Sequence, residues 1–224
     1  MPLRGKGMLA VFCETEKRHE ADLNEWYNRE HIAERIAVRG MHRARRYVAI
    51  DATPKYLATY ECGKVGDLAS PAYLRLLARG TPWTRRVTSR FTSFTRLTLT
   101  IEIDLTVGIG GVICCVRFLP AAAQRAKLLQ ALRERLPAAI RKPGMLGAAV
   151  GINDLAVATA PSHTPGSGAA KPHQADWLLM LEATDEAAAR AAARSLFSGA
   201  TLKTFAIGKR PAIGTYRLLF GDER

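Results

Sequence analysis

Residues 8–13 form a short, almost wholly apolar run, and residues 56–62 a second one rich in aromatic and β-forming side chains, so both read as strands. Between them the period changes. Residues 22–38 place apolar side chains at helical spacing until Gly40 stops them, residues 41–50 alternate, and Asp51-Ala-Thr-Pro54 is a turn. A second helix is predicted over 67–78, with Pro71 in its first turn, where a missing N–H costs least. Gly80-Thr81-Pro82 ends it, an amphipathic connection runs over 83–94, and residues 97–105 alternate strictly with period two. That order is βαββαβ. It recurs as a strand at 111–118, a helix at 121–136, strands at 146–153 and 177–182, a helix at 185–196 and a strand at 213–220. Residues 158–174, rich in Ala, Pro, Ser and Gly, are inserted between the second and third strands of this half and read as a mobile surface loop.

A βαββαβ unit is the ferredoxin-like arrangement, in which two helices cover one face of an antiparallel sheet. The other face needs a cover too. Two units in one chain, 1–106 and 107–224, meet that need by packing their open faces together. The predicted class is therefore α+β, tandem ferredoxin-like repeats forming a pseudo-dimeric α+β barrel with a cavity between its sheets. Burial of that face against a second copy is the alternative, a homodimer.

Charge narrows the choice of partner. The 224 residues carry 33 Lys+Arg against 20 Asp+Glu, and the excess of +13 invites a nucleic-acid reading. It is spread evenly, +6 over 1–106 and +7 over 107–224, with no basic tail. The densest cluster, Arg43, Arg45 and Arg46, lies in an alternating pattern that sends its members to opposite faces, so a nucleic-acid partner is not expected. No apolar stretch is long enough to span a bilayer, and the amino terminus runs into a strand without an apolar leader, which predicts a cytoplasmic protein. Cys13, Cys62, Cys114 and Cys115 lie in apolar runs without the C-x2-C spacing of a zinc site and are expected to be buried free thiols.

The first helix holds the candidate chemistry. At 100° per residue Leu23, Trp26, Ala33 and Ala37 make one apolar stripe, Glu30 projects from its middle, and Tyr27, His31 and Glu34 line a margin. A carboxylate on the buried side beside an imidazole is the arrangement of a general acid/base pair, with His31 moving the proton and Glu30 or Glu34 setting its protonation. Two rivals stand beside it: pairing of Glu30 and Glu34 with Arg43, Arg45 or Arg46, and a metal held by Glu30, His31 and Glu34, for which only His42 offers a further ligand. Trp83, after a chain break, is placed as an aromatic wall, and Tyr47, Tyr60 and Arg45 on the strands as further pocket residues. The matching helix at 121–136 has only Leu and Ala at its apolar positions, and ten of sixteen aromatics fall in the first half, so any site belongs to that half. There is no Walker loop, GxGxxG turn, GxSxG elbow or HExxH helix, and no cofactor is expected.

The segment Glu25-Trp-Tyr-Asn-Arg-Glu-His31-Ile-Ala-Glu34-Arg, with Gly40-Met-His-Arg-Ala-Arg-Arg-Tyr47, Tyr56-Leu-Ala-Thr-Tyr-Glu61, Ser70-Pro-Ala-Tyr73 and Thr81-Pro-Trp-Thr84, resembles the EthD-like branch of the dimeric α+β barrel superfamily over about residues 8–105. Many members have Pro two residues after the motif histidine. Here Ala33 replaces it, which predicts a more regular helix. The resemblance implies that His31 faces the barrel cavity with Tyr27, Glu30 and Glu34 nearby. Superfamily relatives include cofactor-free monooxygenases, isomerases, polyketide cyclases and haem enzymes. The expected function is cofactor-independent acid/base chemistry (isomerisation, cyclisation or elimination) on a small aromatic or lactone-like metabolite. The alternative is a non-catalytic binding or accessory protein for a small hydrophobic ligand.

Overall fold

The computed structural model describes residues 2–159, 174–205, 207 and 211–224. Its first half runs β1 (Gly7–Thr15), α1 (Glu20–Trp26), a π-helical turn (Tyr27–His31), α2 (Ile32–Ile36), β2 (Met41–Ala49), β3 (Tyr56–Cys62), α3 (Pro71–Ala78), α4 (Pro82–Thr88) and β4 (Phe91–Asp104). The second half runs β5 (Val112–Phe118), α5 (Arg125–Ile140), β6 (Met145–Asn153), α6 (Leu155–Ala158), β7 (Trp177–Ala183), α7 (Glu186–Leu196), α8 (Gly199–Thr204) and β8 (Ala212–Glu223). Most of the loop expected at 158–174, with His163 and His173, lies outside the described residues.

All eight strands pair antiparallel into one closed barrel, β1-β3-β2-β8-β5-β7-β6-β4. Read from β4, the first half has the spatial order 4-1-3-2, and the second half, read from β8, has the same order, 8-5-7-6. The seams are β2 with β8, from Arg43 opposite Glu223 to Ala49 opposite Tyr216, and β4 with β6. Closure is achieved within the chain, so no second copy is required to cover the open faces. The architecture is mixed α+β around an eight-stranded antiparallel barrel.

Local sequence explains the element ends. Gly40 (φ +95°) and Gly144 (φ +80°) follow α2 and α5 in the left-handed conformation that glycine adopts without penalty, and each turns the chain directly into a strand. Ser70 and Thr81 cap α3 and α4 by accepting from the N–H groups of Tyr73 and Thr84, with Pro71 and Pro82 next in line. The connection expected at 83–94 is thus helix α4 followed by the start of β4, a strand extending well ahead of its strictly alternating part. Helices α6 and α8 are too short to leave a periodic signal.

Alternation along the strands divides the core into three. Leu9, Val11 and Cys13 of β1 face the first-half helices with Ala58 and Tyr60, whereas Met8, Ala10 and Phe12 join Leu57, Leu99, Ile113, Ala149, Leu178 and Tyr216 from every side of the ring. Because that second cluster contains only strand residues, it is the barrel interior. The third cluster lies under α5 and α7. Cys114 and Cys115 point apart into different clusters, and all four cysteines are buried free thiols, as expected.

Candidate functional site

The first helix is not the regular cylinder that Ala33 predicts. The N–H of Ile32 donates to the carbonyl of Tyr27, five residues back, and this π-helical turn adds one residue to the spiral. The downstream phase is displaced by roughly a quarter turn. Leu23, Trp26 and Tyr27 are buried before the turn, and Ile32, Arg35 and Ile36 after it, while Ala33 and Ala37 are exposed. The predicted stripe through Ala33 and Ala37 is therefore corrected. Glu30 moves from the middle of the buried face to its margin, beside the half-buried His31. Its ring lies 4.0 Å from that of Trp26 and 5.1 Å, edge-on, from that of Tyr27.

His31 does not face the barrel interior, contrary to expectation. It lines a cleft of about 40 Å³ between the helices and the outer surface of the sheet, with Tyr27, Tyr60, Arg35, Tyr73 and Phe94 among its walls. Three buried polar atoms of this cleft have no hydrogen-bond partner: Nδ1 of His31, Nη1 of Arg35 and the hydroxyl of Tyr60. Burial, reinforced by the charges of Arg35 and Arg46, holds the His31 imidazole well below its ordinary value, so it is neutral at neutral pH. Burial likewise raises the phenols of Tyr27 and Tyr60, which remain protonated.

No hydrogen bond or ion pair joins Glu30 or Glu34 to His31 among the described residues. Glu30 accepts from the hydroxyls of Thr81 at 2.6 Å and Thr84 at 3.3 Å, and Thr84 also accepts from the indole N–H of Trp26, so this carboxylate ties α4 to the π turn. Glu34 is raised by partial burial and by its neighbour Glu30. The rival pairing of these glutamates with strand arginines does not form among the described residues. Arg46 lies 4.1 Å over the Tyr27 ring and donates to Asn24 and Asn28, whereas Arg43 and Arg45 turn into the barrel. No group of three or more metal-ligating side chains occurs among the described residues.

The remaining pocket residues separate. Tyr60 lines the cleft, but Tyr47 and Arg45 lie on the other face of the sheet, because odd-numbered residues of β2 point inward from Arg43 onward, past a bulge. There Arg45 donates to both oxygens of Glu182 at 2.9 Å and lies 3.2 Å from Glu61, which Arg43 grips through two nitrogens. These charges neutralise one another, and two pockets reach barrel residues, one lined by Phe12, Cys115 and Tyr216 and the other by Arg43, Arg45 and Leu218. Trp83 is half-buried outside the cleft and donates to Asp22. Arg35, Tyr73 and Arg96 are among the cleft residues that sequence reasoning missed. Tyr73 sits in the Ser-Pro-Ala-Tyr segment, and Arg35 carries no signal until the helix is allowed to slip by one residue.

No family model matches the sequence, and no curated protein matches it. Solved structures do resemble the fold. An anthrone oxidase-like protein is 11% identical with a TM-score of 0.65, over 100% of this chain and 95% of its own. A "putative monooxygenase" of Fusobacterium nucleatum is 10% identical with a TM-score of 0.61, over 99% and 96%. A second one, of Lactobacillus acidophilus, is 12% identical with a TM-score of 0.59, over 97% and 96%. The fold of this chain is that of the dimeric α+β barrels, closed within a single polypeptide.

Proposed function

We propose that the cleft beneath the π turn is the active site of an EthD-like, cofactor-independent enzyme that moves a proton next to a carbonyl in a small aromatic or lactone-like metabolite. The observation that carries this reading is the unpartnered, buried Nδ1 of a neutral His31. In its Nε2–H tautomer the ring presents a lone pair there, free to take a proton from a substrate C–H and return it to another atom of the same molecule, the net change of an isomerisation. The imidazolium so formed is opposed by Arg35 and Arg46 in the empty cleft. It is offset by the negative oxygen that develops on the substrate, so the interaction strengthens in the transition state. Trp26, packed at a tilt of 33° on the imidazole, and Tyr27, edge-on to it and held by Arg46, fix its orientation.

The EthD-like motif over residues 25–35 supports the reading, and so does the barrel described as anthrone oxidase-like. An anthrone is an aromatic ketone whose C–H is acidic through enolisation. The halves 1–106 and 107–224 are read as two ferredoxin-like units of which only the first keeps a site; α5 buries Leu128, Leu132, Leu136 and Ala139 where the first helix has Trp, Tyr and His.

Proton transfer is measurable without knowing the product. Anthrone, 2-tetralone and small lactones incubated with the protein in D2O are expected to exchange the C–H beside the carbonyl faster than in buffer, as followed by proton NMR. His31→Gln is expected to lower the exchange rate by about 100-fold or more at an unchanged melting temperature. Wild-type protein that binds these compounds without exchanging them overturns the proposal and assigns a carrier.

A further inference from the structure

We infer that the cleft takes its ligand through one negatively charged oxygen, of a phenolate, enolate or carboxylate on a planar apolar ring, held by the Arg35 guanidinium and the Tyr60 hydroxyl. The inference deepens the proposed function, and rests on the cleft being its site but not on His31 moving a proton.

Arg35 is only 5% exposed, and it enters no salt bridge among the described residues. Its Nη1 has no acceptor at all. A buried cation outside an ion pair is costly: the neighbouring, half-buried Glu34 carboxyl feels the Arg35 charge but forms no ion pair with it, whereas Arg43 and Arg45 are paired with carboxylates, although Nη1 of Arg43 and Nε of Arg45 also lack an acceptor. Arg43 and Arg45 share Glu61 and Glu182, and Arg46 meets two asparagine oxygens. Arg35 has instead the Tyr73 ring at 5.6 Å, which holds the guanidinium plane without using its N–H groups. Tyr60 is 1% exposed, its hydroxyl also lacks a partner, and burial keeps that hydroxyl protonated as a donor.

Two unpaired donors, one of them charged, facing one cleft with apolar walls of Trp26, Leu77, Phe91 and Phe94 make a recess for an oxyanion attached to a ring. The 40 Å³ present has room for about one or two waters, the size of the charged end alone, so the ring enters by displacing its apolar walls. Of the lining residues, only His31 and Arg96 are not buried, which puts the approach past a second cation.

The test uses 4-nitrophenol, whose yellow phenolate band reports its ionisation, against the neutral 4-nitroanisole. Wild-type protein is expected to bind the phenol at least tenfold tighter and to lower its pKa by roughly one unit or more. Arg35→Met is expected to abolish both the shift and the preference, and Tyr60→Phe to weaken the phenol several-fold with the anisole unchanged. A bound phenol whose pKa is unshifted or raised overturns the inference, as does Arg35→Met with wild-type preference. Should Arg35→Met fail to fold by circular dichroism, Tyr60→Phe decides, equal loss for both probes or none being the overturning result. Comparing 4-nitrobenzoate with 4-nitrobenzamide tells a carboxylate ligand from a phenolate one. His31→Gln is expected to retain the phenol shift while losing C–H exchange. Exchange that survives in His31→Gln removes the proton-transfer reading and leaves the anion recess standing.

Discussion

His31 is the residue on which burial and chemistry meet, and its protonation has a consequence for stability that can be signed. In the folded chain the imidazole is held well below its ordinary value of about 6.5, whereas the unfolded chain titrates near that value. Below pH 6.5 the unfolded state takes up a proton that the folded state refuses, so this residue's contribution to stability declines as pH falls and is constant above. Between pH 6.5 and 5.5 wild-type protein should lose about 1 kcal/mol more than His31→Gln in urea unfolding. Equal losses in the two proteins would show that the imidazole titrates normally. The identity of this histidine, with Tyr27 and Tyr60, was legible in the sequence as a motif. The atoms that make the cleft polar were not, because an unpartnered Nη1 on Arg35 is a property of packing.

At the level of the element, the π turn explains why periodicity misjudged the helix face. A fixed 100° per residue fits the segment up to Tyr27 and then drifts, so Glu30 reads as central and Ala33 as buried, whereas Glu30 is half-buried at the margin and Ala33 is exposed. Boundaries survive such a slip; facing does not. The turn behaves as a one-residue insertion between two segments each in register with the sheet. Arg29, exposed and paired only with Glu25 on the same surface, is the residue that can be removed. Deleting Arg29 should therefore let the helix relax to regular α geometry with Trp26 and His31 one turn apart, and melt cooperatively at or above the wild-type temperature. A large loss of stability on that deletion would show that the widened turn is itself required.

Across the whole molecule, the order of elements was legible because β1, β3 and β7 are short apolar runs bounded by turn and helix signals and the later part of β4 alternates with period two. The charged barrel interior was legible only as a split of the arginine cluster, since nothing local says that Glu182 of the second half reaches Arg45 of the first. The register pairs Arg43 with Glu61 on β2 and β3, and Gly147 with Glu182 on β6 and β7. A Cβ on Gly147 would approach the Cα of Thr106 within 2.5 Å, so the second half has no room for a matching arginine and its glutamate must be answered from across the barrel. Arg45→Met leaves Glu182 without a cationic partner, while Glu61 keeps Arg43, and should cost about 3–5 kcal/mol in denaturant unfolding. At temperatures where the variant stays folded, ligand binding in the helix-side cleft should be unaffected. A selective loss of binding at full stability would return Arg45 to the pocket.

The two seams joining the halves carry a last implication. A barrel assembled from two identical chains must bear every amino-acid change twice, once on each side of its axis, so a bulky or charged substitution has to suit both. This polypeptide is released from that obligation. One side can fill its layer with leucine and alanine as ballast while the other keeps arginine, histidine and tyrosine uncovered, and a calorimetric titration is then expected to saturate at one ligand per chain.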